Sequence, residues 1–323
     1  MNKLTQSSKT ARIILRLTAA GLTLASLFAI GANAQTSPTH VASGVSPAVR
    51  EMDVGDTRLQ YVEQGIGTPV IFVHGAGGDW RTWEPLRAGI AEHHRFVSYS
   101  RRYHWPNDHL GNGKPYTVPE QARDLIAFAQ AVGSGPVHVV GGSYGARVVL
   151  EAAVQRPELF KTVSASEAAI TRPAVWRLWS MWQAKQLADD LGLIAEPMKT
   201  GDTVGATVRL VNAVYGSPTA WDQLAADRKQ RFLDNQKSWL ALARAPQLPS
   251  TPCELLGRLP MPVLVLEGEQ TVAGFRVTND RLMECLPSGS ERFVIPGAPH
   301  IWYPVNPNAA VQRILQFIAK AGG

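Results

Sequence analysis

The chain has little cysteine and lacks the short motifs that bind metal ions. Only two cysteines occur in its 323 residues, and neither belongs to a C-x-x-C pair or to a cysteine–histidine cluster. It also has no H-E-x-x-H segment, which places two histidines one helical turn apart to hold zinc. We therefore predict no metal site and an activity that needs no cofactor.

Basic residues are too dispersed to indicate a nucleic-acid-binding surface. The formal net charge is +6, but four of these charges lie before Gln35, at Lys3, Lys9, Arg12 and Arg16, with no acidic residue among them. The rest of the chain carries 6 − 4 = +2 and has no dense run of lysine or arginine. A nucleic-acid partner is therefore not expected.

Long apolar runs are scarce, and the most pronounced one is near the start of the chain. Residues 17–30 are apolar and follow the basic residues. Residues 32–34 then read Ala-Asn-Ala, and small residues at this spacing are typical of a signal-peptide cleavage site. The run is short for a membrane span. We predict a cleaved signal peptide over residues 1–34 and a flexible leader over residues 35–48, the alternative being an uncleaved N-terminal anchor. The protein is then exported to the periplasm or secreted, with no stable membrane insertion after cleavage.

Export would place both cysteines in an oxidising compartment. One bridge between Cys253 and Cys285 is then possible, but their spacing does not show that they meet. Nothing in the sequence indicates an oligomeric state.

Apolar segments of strand length alternate with helix-like segments over most of the chain. A hairpin pattern comes first, at residues 49–63, and six further strands are predicted at residues 69–73, 95–99, 137–140, 161–165, 263–266 and 292–295. This alternation predicts an α/β fold with a mostly parallel, doubly wound sheet and helices on both faces. Ligands bind such sheets beyond the carboxyl ends of the strands.

Residues 171–250 interrupt this alternation. They are helical in pattern, rich in tryptophan and without strand signals, so we predict an inserted helical cap. The cap divides the predicted core into a first part, residues 49–170, and a second part, residues 251–323. The cap tryptophans could pack the cap onto the core or line an apolar pocket; three of them fall one helical turn apart, at Trp176, Trp179 and Trp182.

A glycine-rich turn joins the strand at 137–140 to a helix-like run. Residues 141–145 read Gly-Gly-Ser-Tyr-Gly, the nucleophile-elbow pattern G-x-S-x-G. Gly141 and Gly145 remove side chains that would collide with neighbouring backbone. Ser143 is then held at the top of the sheet, above the first turn of the helix. We predict that Ser143 is a nucleophile; a tight crossover without chemistry is the alternative.

Three motifs, taken in order, make the chain resemble the α/β-hydrolase fold family over residues 50–323. They are the turn at His74-Gly75, the elbow at Ser143, and the segment Gly-Ala-Pro-His at 297–300. In this family the order along the chain is nucleophile, acid, histidine. The resemblance implies an α/β-hydrolase core with a helical cap.

The resemblance also assigns roles around the elbow. It implies that His300 is the general base, which takes the proton of Ser143 and returns it to the leaving group. It implies an oxyanion hole formed by the backbone N–H groups of Ala76 and Tyr144. His74 is interpreted as a residue that structures its own turn.

The acid departs from the common family pattern. The family often has an aspartate in the loop after the penultimate strand, as G-x-x-D, but this chain reads Gly-Glu-Gln-Thr at 268–271, so Thr271 occupies the aspartate position. Glu269 could supply the carboxylate from a shifted position. Glu167 lies after an earlier strand, where some haloalkane dehalogenases and zearalenone lactonases carry a glutamate that this stretch resembles. We favour Glu167, whose alternative interpretation is a structural carboxylate at the cap hinge.

Three further residues are candidates for substrate binding. Arg101 and Arg102 follow a strand at the catalytic end and could bind a substrate carboxylate through paired hydrogen bonds. The alternative is that they pair with protein carboxylates or solvent. Trp302, close to His300, could line an apolar pocket.

These residues predict an exported serine hydrolase that cleaves a small ester or lactone through an acyl-enzyme on Ser143. The serine argues against haloalkane dehalogenases and epoxide hydrolases, which attack with an aspartate at the elbow. Other reactions of serine triads in this fold remain alternatives: C–C bond hydrolysis, amide hydrolysis and perhydrolysis. A ligand-binding protein without turnover is the last alternative.

Overall fold

The computed structural model describes residues 47–107, 113–133, 135–168, 195–246 and 251–321, together with positions 182, 185, 189 and 192. The predicted signal peptide, residues 35–46 of the predicted leader, and Trp176 and Trp179 of the predicted cap lie outside these residues. Within the described residues, no helix is long and apolar enough to cross a membrane.

Eight strands form one sheet, and six neighbouring strands in it run parallel. The strands are β1 (Arg50–Asp53), β2 (Arg58–Gln64), β3 (Pro69–Val73), β4 (Arg95–Tyr99), β5 (Val137–Gly142), β6 (Phe160–Ser166), β7 (Val263–Gly268) and β8 (Glu291–Ile295). Their order across the sheet is β1-β2-β4-β3-β5-β6-β7-β8. The pairings β1–β2 and β2–β4 are antiparallel, and the other five are parallel. The sheet therefore has one antiparallel edge, formed by the predicted hairpin.

Helices connect the parallel strands and form the cap. Those of the described residues are α1 (Glu84–Ala91), α2 (Val118–Val132), α3 (Tyr144–Gln155), α4 (Ala195–Met198), α5 (Thr203–Tyr215), α6 (Ala220–Gln223), α7 (Ala226–Asp234), α8 (Ser238–Arg244), α9 (Cys253–Leu256), α10 (Ala273–Cys285) and α11 (Pro307–Ala321). Short 3₁₀ helices lie at Trp80–Trp83 and Pro157–Leu159.

Both faces of the sheet are covered, because successive strand residues alternate between two apolar cores. On β3, Ile71 and Val73 belong to the core beneath α2 and α3, whereas Val70 and Phe72 belong to the core beneath α1 and α11. All of β3 is buried, as a strand covered on both faces requires. The predicted doubly wound α/β fold is confirmed.

Helices α4 to α8 lie between β6 and β7 in the chain, and two of them pack against segments that follow β7 and β8. Leu210 of α5 and Trp239 of α8 form a third apolar cluster with Phe275 and Ile301 of the core. Phe275 lies in the helix after β7, and Ile301 follows β8. The cap therefore covers the carboxyl ends of the strands, where ligands bind in such folds.

A disulfide joins Cys253 to Cys285, with Cα atoms 4.9 Å apart. It connects α9 to the last residue of α10, a helix that the sequence pattern did not indicate. The two cysteines are separated by 32 residues, and closing a loop of that length is worth about 3–4 kcal/mol through the unfolded state. The bridge thus stabilises the second part of the core.

Buried histidine on β5 predicts an acid-sensitive fold. The His138 ring is hydrogen-bonded to Thr162 Oγ1 at 2.9 Å, and burial lowers the pKa of His138 to about 4. The unfolded chain, with a histidine pKa of about 6.5, binds more protons between these two values. We therefore expect the free energy of unfolding to be highest above pH 6.5 and to fall as the pH drops towards 4, by up to ~1.4 kcal/mol per pH unit from this residue.

Urea unfolding at pH 7.0, 6.0 and 5.0 measures this dependence. His138→Gln should make the dependence shallower by about one proton. His93→Gln is the matched control, because it removes an exposed histidine and leaves the buried ring of His138 in place. Parallel curves for the wild type and His138→Gln would contradict the prediction.

Candidate active site

Ser143 lies in a tight turn between β5 and α3. Its backbone has φ 53° and ψ −115°, a conformation that side chains disfavour. The turn depends on its glycines, since a Cβ on Gly141 would lie 2.4 Å from the Gly145 oxygen, and one on Gly145 would lie 2.2 Å from the Val73 oxygen. The Ser143 amide donates to the Ser166 oxygen at 2.8 Å, which ties the turn to β6. The backbone of a nucleophile elbow is therefore present at the predicted position.

His300 follows β8 and is held on two sides. Its Nδ1–H donates to Glu167 Oε2, and its ring stacks on Phe275 with centroids 3.9 Å apart and planes 12° apart. Because Nδ1 is engaged, Nε2 is the nitrogen left to exchange a proton. Ser143 and His300 line one cavity, so the two residues predicted as nucleophile and base are brought together.

Glu167 is a fully buried carboxylate with three donors. Its Oε1 accepts from the Gly268 amide at 2.6 Å, and its Oε2 accepts from Thr271 Oγ1 at 2.7 Å and from His300. Thr271, at the position where the family often has its aspartate, thus supports the carboxylate that replaces it. Sequence reasoning found Glu167 and missed both Thr271 and the ring of Phe275.

Glu269, the alternative acid, is exposed and contacts the start of the loop that carries His300. Its Oε2 accepts from the Gly297 amide at 2.7 Å, and the carboxylate found on His300 is that of Glu167. Glu269 therefore braces the turn that leads to His300 and is not its partner. Glu167 and Glu269 follow adjacent strands, β6 and β7, so the contacts of each side chain, and not the strand it follows, distinguish the two carboxylates.

The backbone groups predicted for the oxyanion hole lie beside the elbow. A Cβ on Gly75 would lie 3.1 Å from Ser143 Cβ, so the turn after β3 passes directly over the serine. Ala76, the next residue, lines the cavity. Tyr144 is the first residue of α3, and amides in the first turn of a helix have no acceptor within the helix. The arrangement suits two N–H donors that converge on one oxygen.

Apolar side chains form most of the cavity wall. Trp83, Trp302 and Ile301 come from the core, and Leu210 and Phe232 come from the cap. Trp302 is held in place by a hydrogen bond from its Nε1 to Ser166 Oγ at 2.6 Å. In the described part of the chain, no three His, Cys, Asp or Glu side chains cluster as a metal site would require.

Of the residues that the structure describes, no tryptophan of the predicted cap lines this cavity. Trp239 is buried and donates from Nε1 to Thr207 Oγ1 at 2.8 Å. Its ring approaches Gly77, where a Cβ would lie 3.0 Å from Trp239 Cζ2. Trp182 is 55% exposed. Trp239 therefore packs the cap onto the core, one of the two roles expected for the cap tryptophans.

Comparison with known proteins decides the family. The model of the alpha/beta hydrolase family matches residues 70–313, which is most of the chain and includes the elbow and His300. The chain belongs to the alpha/beta hydrolase family. The resemblance inferred from the sequence is confirmed.

Relatives within the alpha/beta hydrolase family have names for different reactions. The 2-(acetamidomethylene)succinate hydrolase of Mesorhizobium japonicum is 26% identical over 277 residues, which cover 83% of this chain and 94% of that protein. A Mycobacterium tuberculosis protein, provisionally named as the non-heme bromoperoxidase BpoC, is 28% identical over 280 residues, covering 81% and 98%. The naproxen esterase (carboxylesterase NP) structure from Bacillus subtilis matches with a TM-score of 0.64 at 18% identity, covering 85% and 92%. The specific reaction therefore has to be argued from the site.

Arg102 does not face the cavity of this alpha/beta hydrolase. It is 1% exposed, and its Nε and Nη2 donate to the two carboxylate oxygens of Asp124 at 2.9 and 2.6 Å. Nη2 also donates to Asp56 Oδ1 at 2.6 Å. The substrate-carboxylate interpretation is wrong for Arg102, which pairs with protein carboxylates instead.

Arg101 is also buried, and it lies behind the predicted oxyanion hole. Its Nε donates to the His74 oxygen at 2.9 Å and its Nη2 donates to the Gly75 oxygen at 3.0 Å, the two carbonyls that precede Ala76. Its guanidinium carbon lies 4.9 Å from the ring centroid of Tyr144. The substrate-binding interpretation is wrong here as well, and Arg101 is a positioning residue for the turn after β3.

His74 completes the support of this turn. Its Nε2 accepts from the Arg101 amide at 2.9 Å, and its Nδ1–H donates to the Gly75 oxygen at 2.9 Å. Burial, with the charges of Arg101 and His104, holds the pKa of His74 well below its usual range. A neutral ring can donate at one nitrogen and accept at the other, as this turn requires.

Arg101→Lys is expected to lower kcat at least about tenfold while changing KM less than about threefold, because an ammonium cannot hold both carbonyls in the geometry of the planar fork. Steady-state kinetics on an ester, with a thermal melt to verify folding, measure this effect. Arg123→Lys is the control, since its side chain is 61% exposed. A folded Arg101→Lys enzyme with wild-type kcat would contradict the positioning role.

Proposed function

We propose that this protein is an exported serine hydrolase that cleaves a small ester or lactone through an acyl-enzyme on Ser143. The observation that carries the proposal is the hydrogen bond from His300 Nδ1–H to the buried carboxylate of Glu167, beside a cavity that His300 shares with Ser143. A carboxylate in this position keeps the imidazole in the tautomer whose Nε2 can accept a proton.

In the proposed first half-reaction, Ser143 Oγ attacks the carbonyl carbon and its proton passes to His300 Nε2. Glu167 stabilises the imidazolium that forms. The amides of Ala76 and Tyr144 donate to the oxyanion of the tetrahedral intermediate. Collapse of the intermediate breaks the bond to the alcohol, which leaves with the proton from His300.

In the second half-reaction, water takes the place of the alcohol. His300 accepts a proton from water as its oxygen attacks the acyl carbon, and the same amides hold the second oxyanion. Collapse releases the carboxylic acid and returns the proton to Ser143. The cycle consumes one ester and one water and needs no other reactant.

Export is proposed from two features. Residues 1–34 have the pattern of a signal peptide, and a disulfide between Cys253 and Cys285 suits an oxidising compartment. Amino-terminal sequencing of the protein recovered from the periplasm or medium should begin at Gln35. Recovery of the full-length chain in the cytoplasm would contradict export.

Labelling with a fluorophosphonate tests the proposed nucleophile. The reagent should form one adduct on the folded protein, located by peptide mass spectrometry at Ser143, and none on the heat-denatured protein. Ser166→Ala is the matched control, because Ser166 lines the same cavity but its Oγ accepts from Trp302. Labelling that survives in Ser143→Ala, or no labelling of the folded protein, would contradict the proposal.

An amidase is the second candidate, favoured by the relative named 2-(acetamidomethylene)succinate hydrolase, whose name contains an acetamide group. Amide hydrolysis would use the same triad, so labelling does not separate it from ester hydrolysis. A panel of p-nitrophenyl esters, lactones and matched anilides does so. Turnover of anilides faster than of esters would replace the ester proposal with the amidase.

A further inference from the structure

A second cavity adjoins the one at Ser143. The two share wall residues, Gly78, Thr82, Phe232 and Tyr303, and the outer cavity is the larger, with a volume of about 230 Å³ against about 50 Å³. Helix α7 of the cap lies along it. A substrate whose carbonyl reaches Ser143 would therefore have its remaining bulk beside α7.

Two arginines one helical turn apart line the outer cavity, Arg228 and Arg231. Arg228 Nη2 donates to Tyr215 Oη at 2.8 Å. Arg231 Nη1 donates to the Arg81 oxygen at 3.4 Å, and its Nη2 lies 3.6 Å from Asp227 Oδ2. Among the residues that the structure describes, no carboxylate oxygen lies within 3.5 Å of a guanidinium nitrogen of Arg228 or Arg231.

The two acidic residues that line the outer cavity are either paired with another arginine or exposed to solvent. Asp79 is 1% exposed and accepts from Arg81 Nη2 at 2.6 Å and from Asn235 Nδ2 at 2.7 Å, so its carboxylate is already engaged. The side chain of Asp227 is 66% exposed, and solvent screens a carboxylate in that setting. Asp79 is thus paired with Arg81 and Asp227 faces solvent, which leaves Arg228 and Arg231 as the cationic donors that an anion would meet in this cavity.

A phenol adds a further donor to this cavity. Tyr303 lines both cavities, and burial raises its pKa, an effect that the nearby Arg228 reduces only in part. The phenol therefore stays protonated and can donate to an anion. Guanidinium groups and a neutral phenol together match the acceptor oxygens of a carboxylate.

Other arginines of the chain show what a fully paired guanidinium looks like. Arg102 and Arg81 each bond to a carboxylate through two nitrogens, to Asp124 and Asp79 respectively. Arg228 and Arg231 lack such a partner and face a cavity instead. Among the described residues no carboxylate holds either guanidinium through two nitrogens, so their donors are open to a carboxylate that enters the cavity.

We infer that Arg228 and Arg231 form a subsite for a carboxylate of the substrate. The substrate class is then an ester that carries an anionic group several bonds away from its scissile carbonyl. The statement that such an ester is hydrolysed rests on the proposed function. The statement that its carboxylate binds here rests only on the residues of the outer cavity.

Mono-p-nitrophenyl adipate and its methyl ester test the subsite by hydrolysis, since methylation removes the distal charge and adds only one methyl group. Wild type is expected to prefer the anionic ester at least about tenfold in kcat/KM. In Arg228→Gln/Arg231→Gln the ratio should fall to about one, and 0.5 M NaCl should reduce the wild-type ratio. Lys229→Gln is the matched control, because Lys229 lies between the arginines in sequence but donates to the Asp222 oxygen outside the cavity.

Calorimetric titration of Ser143→Ala separates this inference from the proposed function. Monomethyl adipate should bind at least about tenfold more tightly than dimethyl adipate, and the two arginine substitutions should remove the difference. If no ester is hydrolysed but this binding preference is seen, the proposed function fails and the subsite stands. Equal binding of the two esters, or a preference that survives in the double variant, overturns the inference.

Discussion

Replacement of Ser143 by alanine is expected to lower kcat for an ester roughly a million-fold, the scale on which loss of the nucleophile abolishes serine-hydrolase catalysis. The oxyanion donors and the cavity would remain, so a small residual rate over water is expected. Because the wild-type residue has an unusual backbone conformation, the choice of replacement should also affect stability.

Ser143→Gly should be as inactive as Ser143→Ala but more stable by about 1 kcal/mol. At φ 53° and ψ −115°, a side chain costs roughly 1–3 kcal/mol of backbone strain. Glycine relieves that strain. Its greater conformational entropy in the unfolded chain lowers the resulting gain in the free energy of unfolding by up to about 1 kcal/mol. Urea unfolding of the two variants, in parallel with ester kinetics, measures the difference. A glycine variant less stable than the alanine variant would show that the elbow is not strained.

Replacement of Glu167 by glutamine is expected to lower kcat about 10³- to 10⁴-fold, with little change in KM. Glutamine can still accept from the Gly268 amide, but its NH₂ group would face Thr271 Oγ1 and His300 Nδ1, where the carboxylate now accepts two hydrogen bonds. The imidazole would then favour the tautomer with the proton on Nε2, which cannot accept the proton of Ser143.

Glu269→Gln is the matched control for this prediction. Glu269 is the carboxylate nearest to the usual family position, but it accepts from the Gly297 amide and not from His300. Its replacement should change kcat less than about threefold. A large loss in Glu269→Gln, with a small one in Glu167→Gln, would reverse the assignment of the acid. Near-UV circular dichroism of both variants verifies that the buried substitution leaves the fold intact.

The parts of the fold that the sequence predicted are those with strong local signals. All eight strands were predicted within two residues at each end. The first two form a hairpin pattern around a Gly-Asp turn, and the six parallel strands are short, mainly apolar runs bounded by turn residues. Helix α10 was not predicted. Its segment, Ala273–Cys285, includes Val277, Thr278, Asn279 and Asp280 in succession, residues that favour helices only weakly. Packing of Phe275 and Leu282 into the cores overrides that preference.

The two arginines after β4 show where sequence reasoning stopped. Arg101 and Arg102 have the same chemistry and adjacent positions, yet one braces the turn before Ala76 and the other pairs with Asp124. A long side chain can reach any of several acceptors, and only the packed structure determines which. The arginines that do face a cavity, Arg228 and Arg231, lie in the cap, where the sequence pattern showed helices and nothing of their orientation.

The sequence alone determined the features that depend on neighbouring residues. These are the strands, the glycines around Ser143, and the position of His300 in the turn after the last strand. Those signals are local because backbone sterics act over a few residues. The tertiary structure decided the partners that are distant in sequence. It placed Glu167, and not Glu269, against His300, and it placed Thr271 where its hydroxyl donates to that carboxylate. It also placed Arg228 and Arg231 in the cavity that adjoins the one at Ser143. These choices depend on which strand ends and cap helices meet, and that is determined by the packing of the whole chain around its sheet.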